Sequence, residues 1–386
     1  MKTQNNNIPK LRFPEFSEKW YLFQLKNVSS IFDGTHQTPN YVVNGIKFVS
    51  VEDINDIYAT KKFISEDDYI KNYKIKPQKG DILLTRITAG IIGATAILDQ
   101  NTSLAYYVSL ALIRKNENVE LNFLNQNLNS ENFRKELHKR IIHVAFPKKI
   151  NLGDIGVCKL HIPSLPEQTK IADFLTSVDE KIQKLNRKKE LLEHYKKGVM
   201  QKIFNQELRF KDENGDDFPE WEEKQLGEIS HIATGSSNRQ DSIINGKYTF
   251  FDRSVDIRSS NIFLFDSEAV IVAGEGSDFI PKYFKGKFDL HQRTYAIMDF
   301  IDSLGLFLFY FIYFHRSYFL SQAVGSTVKS LRQPMFQKMI IYLPILTEQR
   351  KIADFLTAID NKIEKVNRQT DKAKEFKQGL LQQMFV

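Results

Sequence analysis

A chain of 386 residues exceeds one ordinary domain and suits two, with connectors between them. Hydrophobic residues at 42% and charged residues at 26% exclude a disordered chain, while 54 Lys and Arg against 47 Asp and Glu leave a net charge of +7, compatible with a polyanionic partner. Cys158 is the only cysteine, which excludes an internal disulfide and a cysteine-built zinc site and suits a reducing, cytoplasmic setting.

The N-terminal stretch Met1 to Pro14 is polar and lacks the apolar core of a secretory signal. From there to residue 162 the pattern predicts a first α/β (α+β) domain. Strand-like runs fall at Ile46 to Val51, Asp81 to Thr85, Gly93 to Leu98 and Tyr107 to Arg114, and a helix is expected from Leu121 to Ile141. The turn-rich segment Asp33 to Tyr41 offers Thr35, His36, Thr38 and Asn40 as polar contact residues. Lys79-Gly80-Asp81 introduces a strand that delivers Arg86 and Thr88. Arg134, Lys135, Lys139, Arg140, Lys148 and Lys149 surround the single Glu136, a cluster suited to phosphates.

Residues 163–205 read as one long helix. Pro163 ends the preceding strand-like run, and Glu, Gln, Lys, Leu and Ala then dominate without a further proline after Pro166. Apolar residues recur every seventh position at Ile171, Val178, Leu185, Leu192 and Val199, with Leu175 and Ile182 offset by four, which is a coiled-coil seam. Lys189 and Lys196 interrupt the second row and are expected to set its register.

Residues 206–341 repeat the domain plan with a different sequence. Strands are expected at Tyr248 to Phe251, Ala269 to Ala273 and Thr294 to Met298, and a helix at Leu304 to Ala323. The apolar run from Leu304 to Phe314 falls well short of the roughly 20 residues that span a bilayer, so it reads as a buried helix rather than a membrane segment. The polar loops supply Ser237, Asn238 and Arg239, then Ser277, then His291, Gln292 and Arg293, and finally Ser326, Thr327 and Lys329. Arg pairs two-pronged with guanine edges, and Asn or Gln with adenine edges.

Residues 342–386 form the second long helix, with its seam at Ile352, Leu356, Ile359, Ile363, Val366 and Leu380 and interruptions at Thr370 and Lys377. It is a copy of the first. Ile162 to Phe204 and Leu343 to Phe385 align without a gap at an offset of 181, with about half the positions identical. Leu11-Arg12-Phe13 with Trp20 likewise returns as Leu208-Arg209-Phe210 with Trp221. The chain therefore runs twice through one unit of globular domain and long helix. The expected architecture is two α/β (α+β) domains separated by two helices in an antiparallel coiled coil, a pseudo-twofold, circular arrangement.

The chemistry of catalysis finds no motif. Gly246-Lys247 and Gly286-Lys287 are followed by Tyr248 and Phe288, so no phosphate-cradling loop for ATP is expected. The eight histidines show no metal-ligand spacing, and the adjacent acidic pairs read as solvated loop charges. No metal site and no catalytic residue are nominated.

With these residues in view, nearly the whole chain resembles the specificity subunits of type I restriction-modification systems. The resemblance rests on the twice-used pattern Pro-x-Leu-x-Glu-Gln-x-Lys-Ile-Ala-Asp-Phe-Leu at Pro163 to Leu175 and Pro344 to Leu356, the Leu-Arg-Phe-Pro-Glu-Phe start, the Gly80-Asp81-Ile82-Leu83 strand entry, and the Gly325-Ser326-Thr327-Val328-Lys329 loop. It implies that each domain grips one half of a split double-stranded DNA site and that the helices dock two modification (adenine methyltransferase) subunits. Restriction subunits, ATP-dependent translocases and nucleases, would join them, and S-adenosylmethionine, ATP and Mg would belong to the partners rather than to this chain. The first domain departs from the family in carrying Val144-Ala145-Phe146-Pro147-Lys148-Lys149 where the second has its Gly-Ser-Thr-x-Lys loop, with Lys149 taken as the counterpart of Lys329. The alternative from another class is a coiled-coil adaptor that binds only proteins.

Overall fold

A computed structural model describes residues 8–386, so the N-terminal polar stretch lies partly outside the described residues. Two compact units emerge. Unit 1 holds the chain up to Asn186 together with Arg368–Val386, and unit 2 holds Arg187–Asn367.

In unit 1 a four-stranded antiparallel sheet runs in the order Ser29–Asp33, Leu110–Lys115, Asp81–Thr85, Thr95–Ile97. Its central strand Asp81–Thr85 is buried throughout because both faces are covered. Alternation sends Ile82 and Leu84 into a core with Phe123, Leu124 and Phe133, and Leu83 into a second core with Val49, Ile57 and Leu112. A smaller sheet of Tyr41–Val42, Phe63–Ile64, Ile46–Val49 and Leu104–Tyr106 lies beyond. The helix expected from Leu121 to Ile141 is two helices, Leu121–Leu128 and Glu131–His138. The break follows from Ser130, whose hydroxyl accepts the Phe133 amide (3.2 Å) and so caps a new helix start.

Unit 2 is built on a six-stranded sheet in the order His231–Thr234, Thr294–Met298, Phe265–Ala273, Lys282–Leu290, Tyr248–Phe251, Arg258–Ser260. One pair, Tyr248–Phe251 with Lys282–Leu290, is parallel. The apolar run of Leu304 to Phe314 becomes the helix Gly305–Phe314, whose Phe307, Leu308 and Phe311 pack on Val270, Val272 and Ile297. The expected helix to Ala323 breaks at His315 and resumes at Ser317–Gln322; the His315 ring stacks on Phe311, with centroids 4.1 Å apart, and helps close the first helix. Among the described residues no helix is long and apolar enough to cross a membrane.

The repeated segments form helices Leu165–Phe204 and Leu346–Met384. Each starts just after its proline, which disfavours helical geometry in the residue before it. The seam residues Ile171, Leu175, Val178, Val199, Ile352, Leu356, Ile359, Val366 and Leu380 are buried, and Ile182, Leu185, Leu192 and Ile363 are half-buried. Within unit 1, Ile171, Leu175 and Val178 share a core with Leu380, Met384 and Phe385; within unit 2, Val199, Met200 and Ile203 share one with Ile352, Leu356 and Ile359. The start of one helix thus meets the end of the other, an antiparallel pairing. Two of the seam-breaking lysines close it: Lys377 Nζ donates to Asp179 (2.8 Å) and Lys196 Nζ to Asp360 (2.6 Å), the same ion pair made once in each unit.

Each unit is joined to its helix start by an identical clamp. Glu167, 1% exposed, accepts from Trp20 Nε1 (3.1 Å) and from Arg12 Nε and Nη2 (both 2.7 Å). Glu348, fully buried, accepts from Trp221 Nε1 (3.1 Å) and from Arg209 Nε (3.2 Å) and Nη2 (2.9 Å). The next residue ties down a second helix start: the side-chain Oε1 of Gln168 accepts the Glu120 amide, and Oε1 of Gln349 accepts the Leu304 amide, each at 2.8 Å. The repeated Leu-Arg-Phe, Trp and Glu-Gln elements of the sequence are therefore the parts of one joint.

Candidate nucleic-acid interface

At one end of each unit the same four loops converge on a two-stranded ribbon. In unit 1 the ribbon is Ile87–Thr88 with Lys148–Lys149, and in unit 2 it is Glu275–Gly276 with Lys329–Ser330. Thr35 bridges Tyr107 as Ser237 bridges His291. The Ile150 amide donates to the Arg86 carbonyl (2.9 Å) as the Leu331 amide donates to that of Gly274 (2.8 Å). Lys148 pairs with Thr88 and Lys329 with Gly276, whereas Lys149 bridges Ile142 as Ser330 bridges Val324. The counterpart of Lys329 is thus Lys148, which corrects the alignment on Lys149.

Arg86 is the hub of the unit 1 site. It is 7% exposed; Nε donates to the Val108 carbonyl (3.0 Å), Nη1 to that of Ile150 (3.2 Å) and Nη2 to Asp33 Oδ1 (3.0 Å). Asp33 also receives the Gly34 amide (3.0 Å) and pairs with His36 Nε2 (2.8 Å), and its carbonyl accepts the Tyr106 hydroxyl (2.8 Å), whose pKa burial pushes up. The expectation of Arg86 as a DNA-contact residue gives way here: the guanidinium is consumed inside the protein and positions four segments. Thr88 is likewise buried, its hydroxyl accepting the Gly90 amide (2.9 Å). Thr35 is half-buried. His36, Thr38, Asn40, Lys148 and Lys149 are exposed, and neither lysine has a carboxylate partner among the described residues.

In unit 2, Ser237 is buried and donates to Asp289 Oδ1 (2.6 Å), and His291 is buried with its Nδ1 accepting the Arg293 amide (3.0 Å). Burial first, and then the nearby Arg253 charge, lowers the His291 pKa, so the ring is suited to staying neutral. Ser237 therefore shapes its loop from beneath, contrary to the expectation of direct contact, while His291, though mostly buried, still lines an open depression. Around them Asn238, Arg239, Ser277, Gln292, Arg293, Ser326, Thr327 and Lys329 are exposed. Gln292 Nε2 donates to Asn238 Oδ1 (2.6 Å), joining two loops. An open depression is lined by Asn238, Arg239, Gln240, Arg258 and His291. Gly325 stands at φ +118°, where a Cβ would meet the Val328 carbonyl at 2.2 Å, so this turn of the loop requires glycine.

The sequence reading missed Asp33, Arg253 and Glu275. Glu275, mostly buried, receives one guanidinium nitrogen from Arg253 and one from Arg293. Burial alone would raise its pKa; the hydrogen bonds from Arg293 and Arg253 outweigh that and lower it. The available signal was a lone carboxylate between two glycines in a basic loop set. The two arginines, 44% and 60% exposed, are held as a fixed pair with donors still facing solvent.

The ribbon site is thus built twice with different side chains, exposed lysines in unit 1 and, in unit 2, a lysine beside two arginines oriented by Glu275. That defines a class: a paired, two-unit recognition scaffold. The family described as type I restriction modification DNA specificity domain matches residues 17–194 and 219–375, and this chain belongs to that family. It is 27% identical to a putative type I restriction enzyme MjaX specificity subunit of Methanocaldococcus jannaschii, over 98% of this chain and 96% of that protein. It is 29% identical to the EcoDI specificity subunit of Escherichia coli over 42% of this chain and 37% of that relative. The fold is similar to the crystal structure of the type I system S subunit from M. genitalium, with a TM-score of 0.66 at 15% identity over 98% of this chain and 99% of that one. A second solved chain, from a study of type I system assembly and conformational transition, aligns with a TM-score of 0.56 at 17% identity over 94% of this chain and 96% of that one.

Proposed function

We propose that this chain reads a bipartite, asymmetric site in double-stranded DNA, one half-site per unit, and that two adenine methyltransferase subunits dock on its repeated helices. The observation that carries the reading is the four-loop ribbon site made twice on one scaffold with unlike side chains: one framework, two vocabularies. Arg239, Arg293, Gln292 and Asn238 supply the donors and acceptors that discriminate base edges in unit 2, and Thr38, Asn40, His36 and Lys148 do so or hold phosphates in unit 1. Docking of two copies of one partner is supported by the helices themselves. Asp173, Lys181 and Lys184 are exposed on the first and recur, exposed, as Asp354, Lys362 and Lys365 on the second. Methyl transfer and cleavage, with S-adenosylmethionine, ATP and Mg, fall to the modification and restriction subunits, and the assembly works in the cytoplasm.

Mapping methylated adenines in cells with and without this chain tests the proposal. A split motif that disappears with the chain is expected, and an unchanged methylation pattern would remove the reading. At the level of single residues, Lys329→Ala and Lys148→Ala are each expected to weaken binding to every DNA sequence alike. Each should reduce the slope of log affinity against log salt by about 0.9, the amount of one phosphate contact. A salt titration that leaves the slope unchanged removes that lysine from the phosphate role.

A further inference from the structure

We propose that unit 1 engages DNA through an apolar wedge: Phe146, backed by Val144, enters a base step while Lys148 and Lys149 hold the adjacent phosphates. The inference rests on the DNA-reading function proposed above and adds the manner of contact. The segment from Ile142 to Lys149 is a closed tongue, its root fastened by the Ile142 amide to the Lys149 carbonyl (2.8 Å) and by the Ile150 amide to the carbonyl of Arg86 (2.9 Å). The root is therefore rigid and belongs to the hub of the candidate interface. At the tip, Phe146 is 92% exposed and Val144 97% exposed.

Isolated apolar side chains on a surface need no explanation, but two almost fully exposed ones within three residues on an anchored tongue, followed by two lysines, give the tip a defined surround. That surround selects the occupant. Lys148 and Lys149 lack carboxylate partners among the described residues, so the tip presents uncompensated positive charge next to bare hydrocarbon. A duplex supplies both complements, phosphates at its edge and base faces within. Aromatic and aliphatic side chains flanked by basic groups are the means by which proteins partly unstack and kink a base step. The matching tongue of unit 2, closed by mutual hydrogen bonds between Val324 and Ser330, carries Gly325, Ser326 and Thr327 before a half-exposed Val328, so it has hydroxyls suited to phosphate oxygens and no aromatic ring. The two half-sites would thus be held by different physics.

The test uses the full-length chain and a linear plasmid fragment carrying the motif found by methylation mapping. Permanganate reports unstacked thymines, and duplexes with 2-aminopurine at each adenine report the remaining A·T steps. The wild-type chain is expected to unstack a step in or beside one half-site. Phe146→Ala is expected to abolish that signal and weaken binding about 5-fold to 150-fold, the range of one base–aromatic stack, with the salt slope unchanged. Phe146→Trp is expected to restore both. Phe146→Ala binding the fragment as tightly as wild type, or losing affinity without any unstacked step in the wild-type complex, overturns the wedge. Normal DNA affinity with loss of methyltransferase assembly would overturn it too and reassign the tip to a protein. A wild-type chain that does not prefer the motif fragment over unrelated plasmid DNA would instead sink the DNA-reading proposal itself.

Discussion

Replacing Glu348 with alanine is expected to destabilise unit 2 by about 3–5 kcal/mol, the usual loss when one member of a buried ion pair is removed. Glu348 is fully buried and is the shared acceptor of the Trp221 indole and the Arg209 guanidinium. Without it the arginine, with its side chain 18% exposed, is left as a partly buried charge, and the indole N–H loses its partner. Glu348→Gln keeps an acceptor for the indole and should lose less. Glu167→Ala should produce the same effect in unit 1, because Arg12 and Trp20 meet there in the same geometry. Urea unfolding of the full chain, followed by tryptophan fluorescence, separates these cases, since Trp20 and Trp221 are its only tryptophans and each sits in one clamp. Glu180→Ala serves as the reference: its pair with Lys184 is exposed and worth under about 1 kcal/mol. A Glu348→Ala shift no larger than that would show the clamp to be idle.

The clamp also marks where sequence reasoning reached and where it stopped. The repeat, the heptad seam and the strands Asp81–Thr85, Tyr248–Phe251 and Thr294–Met298 were legible because each rests on local periodicity. The twice-used Arg, Trp and Glu-Gln positions were visible as a pattern, but their purpose was not: Arg12 and Glu167 are joined across a whole domain. The breaks at Asn129 and His315 were missed because continuous apolar and polar alternation conceals a capping serine or a stacked imidazole. In the site, exposed loop residues such as Asn238, Arg239 and Gln292 could be nominated from residue type alone. Burial could not. Arg86 and Ser237 have the same polar chemistry as a base reader, and only their long-range partners, Asp33 and two loop carbonyls for the one and Asp289 for the other, show that they are framework. Glu275 was passed over for the converse reason, since a carboxylate looks out of place in a basic loop until two arginines are found on it.

Inserting one heptad into each long helix, between Asn186 and Arg187 and between Asn367 and Arg368, is expected to widen the gap of the recognised site by about three base pairs. Each insertion adds about 10 Å of helix at 1.5 Å per residue, against 3.4 Å per base-pair step. Seven residues are chosen because they return the apolar row to the same face, so the Lys196–Asp360 and Lys377–Asp179 pairs and the buried seam residues keep their register. Four residues added to one helix alone would break that register and should cost stability instead. Both insertion points are where the two units divide along the helices, so neither core is touched. Methylation mapping in cells carrying the lengthened chain reads the result: both half-sites should be unchanged in sequence, with more unspecified bases between them, and the original site should no longer be modified. The same gap after insertion would mean that the helices do not set the spacing, and altered half-sites would mean that the loops depend on the helix length in a way their self-contained hydrogen bonding does not suggest.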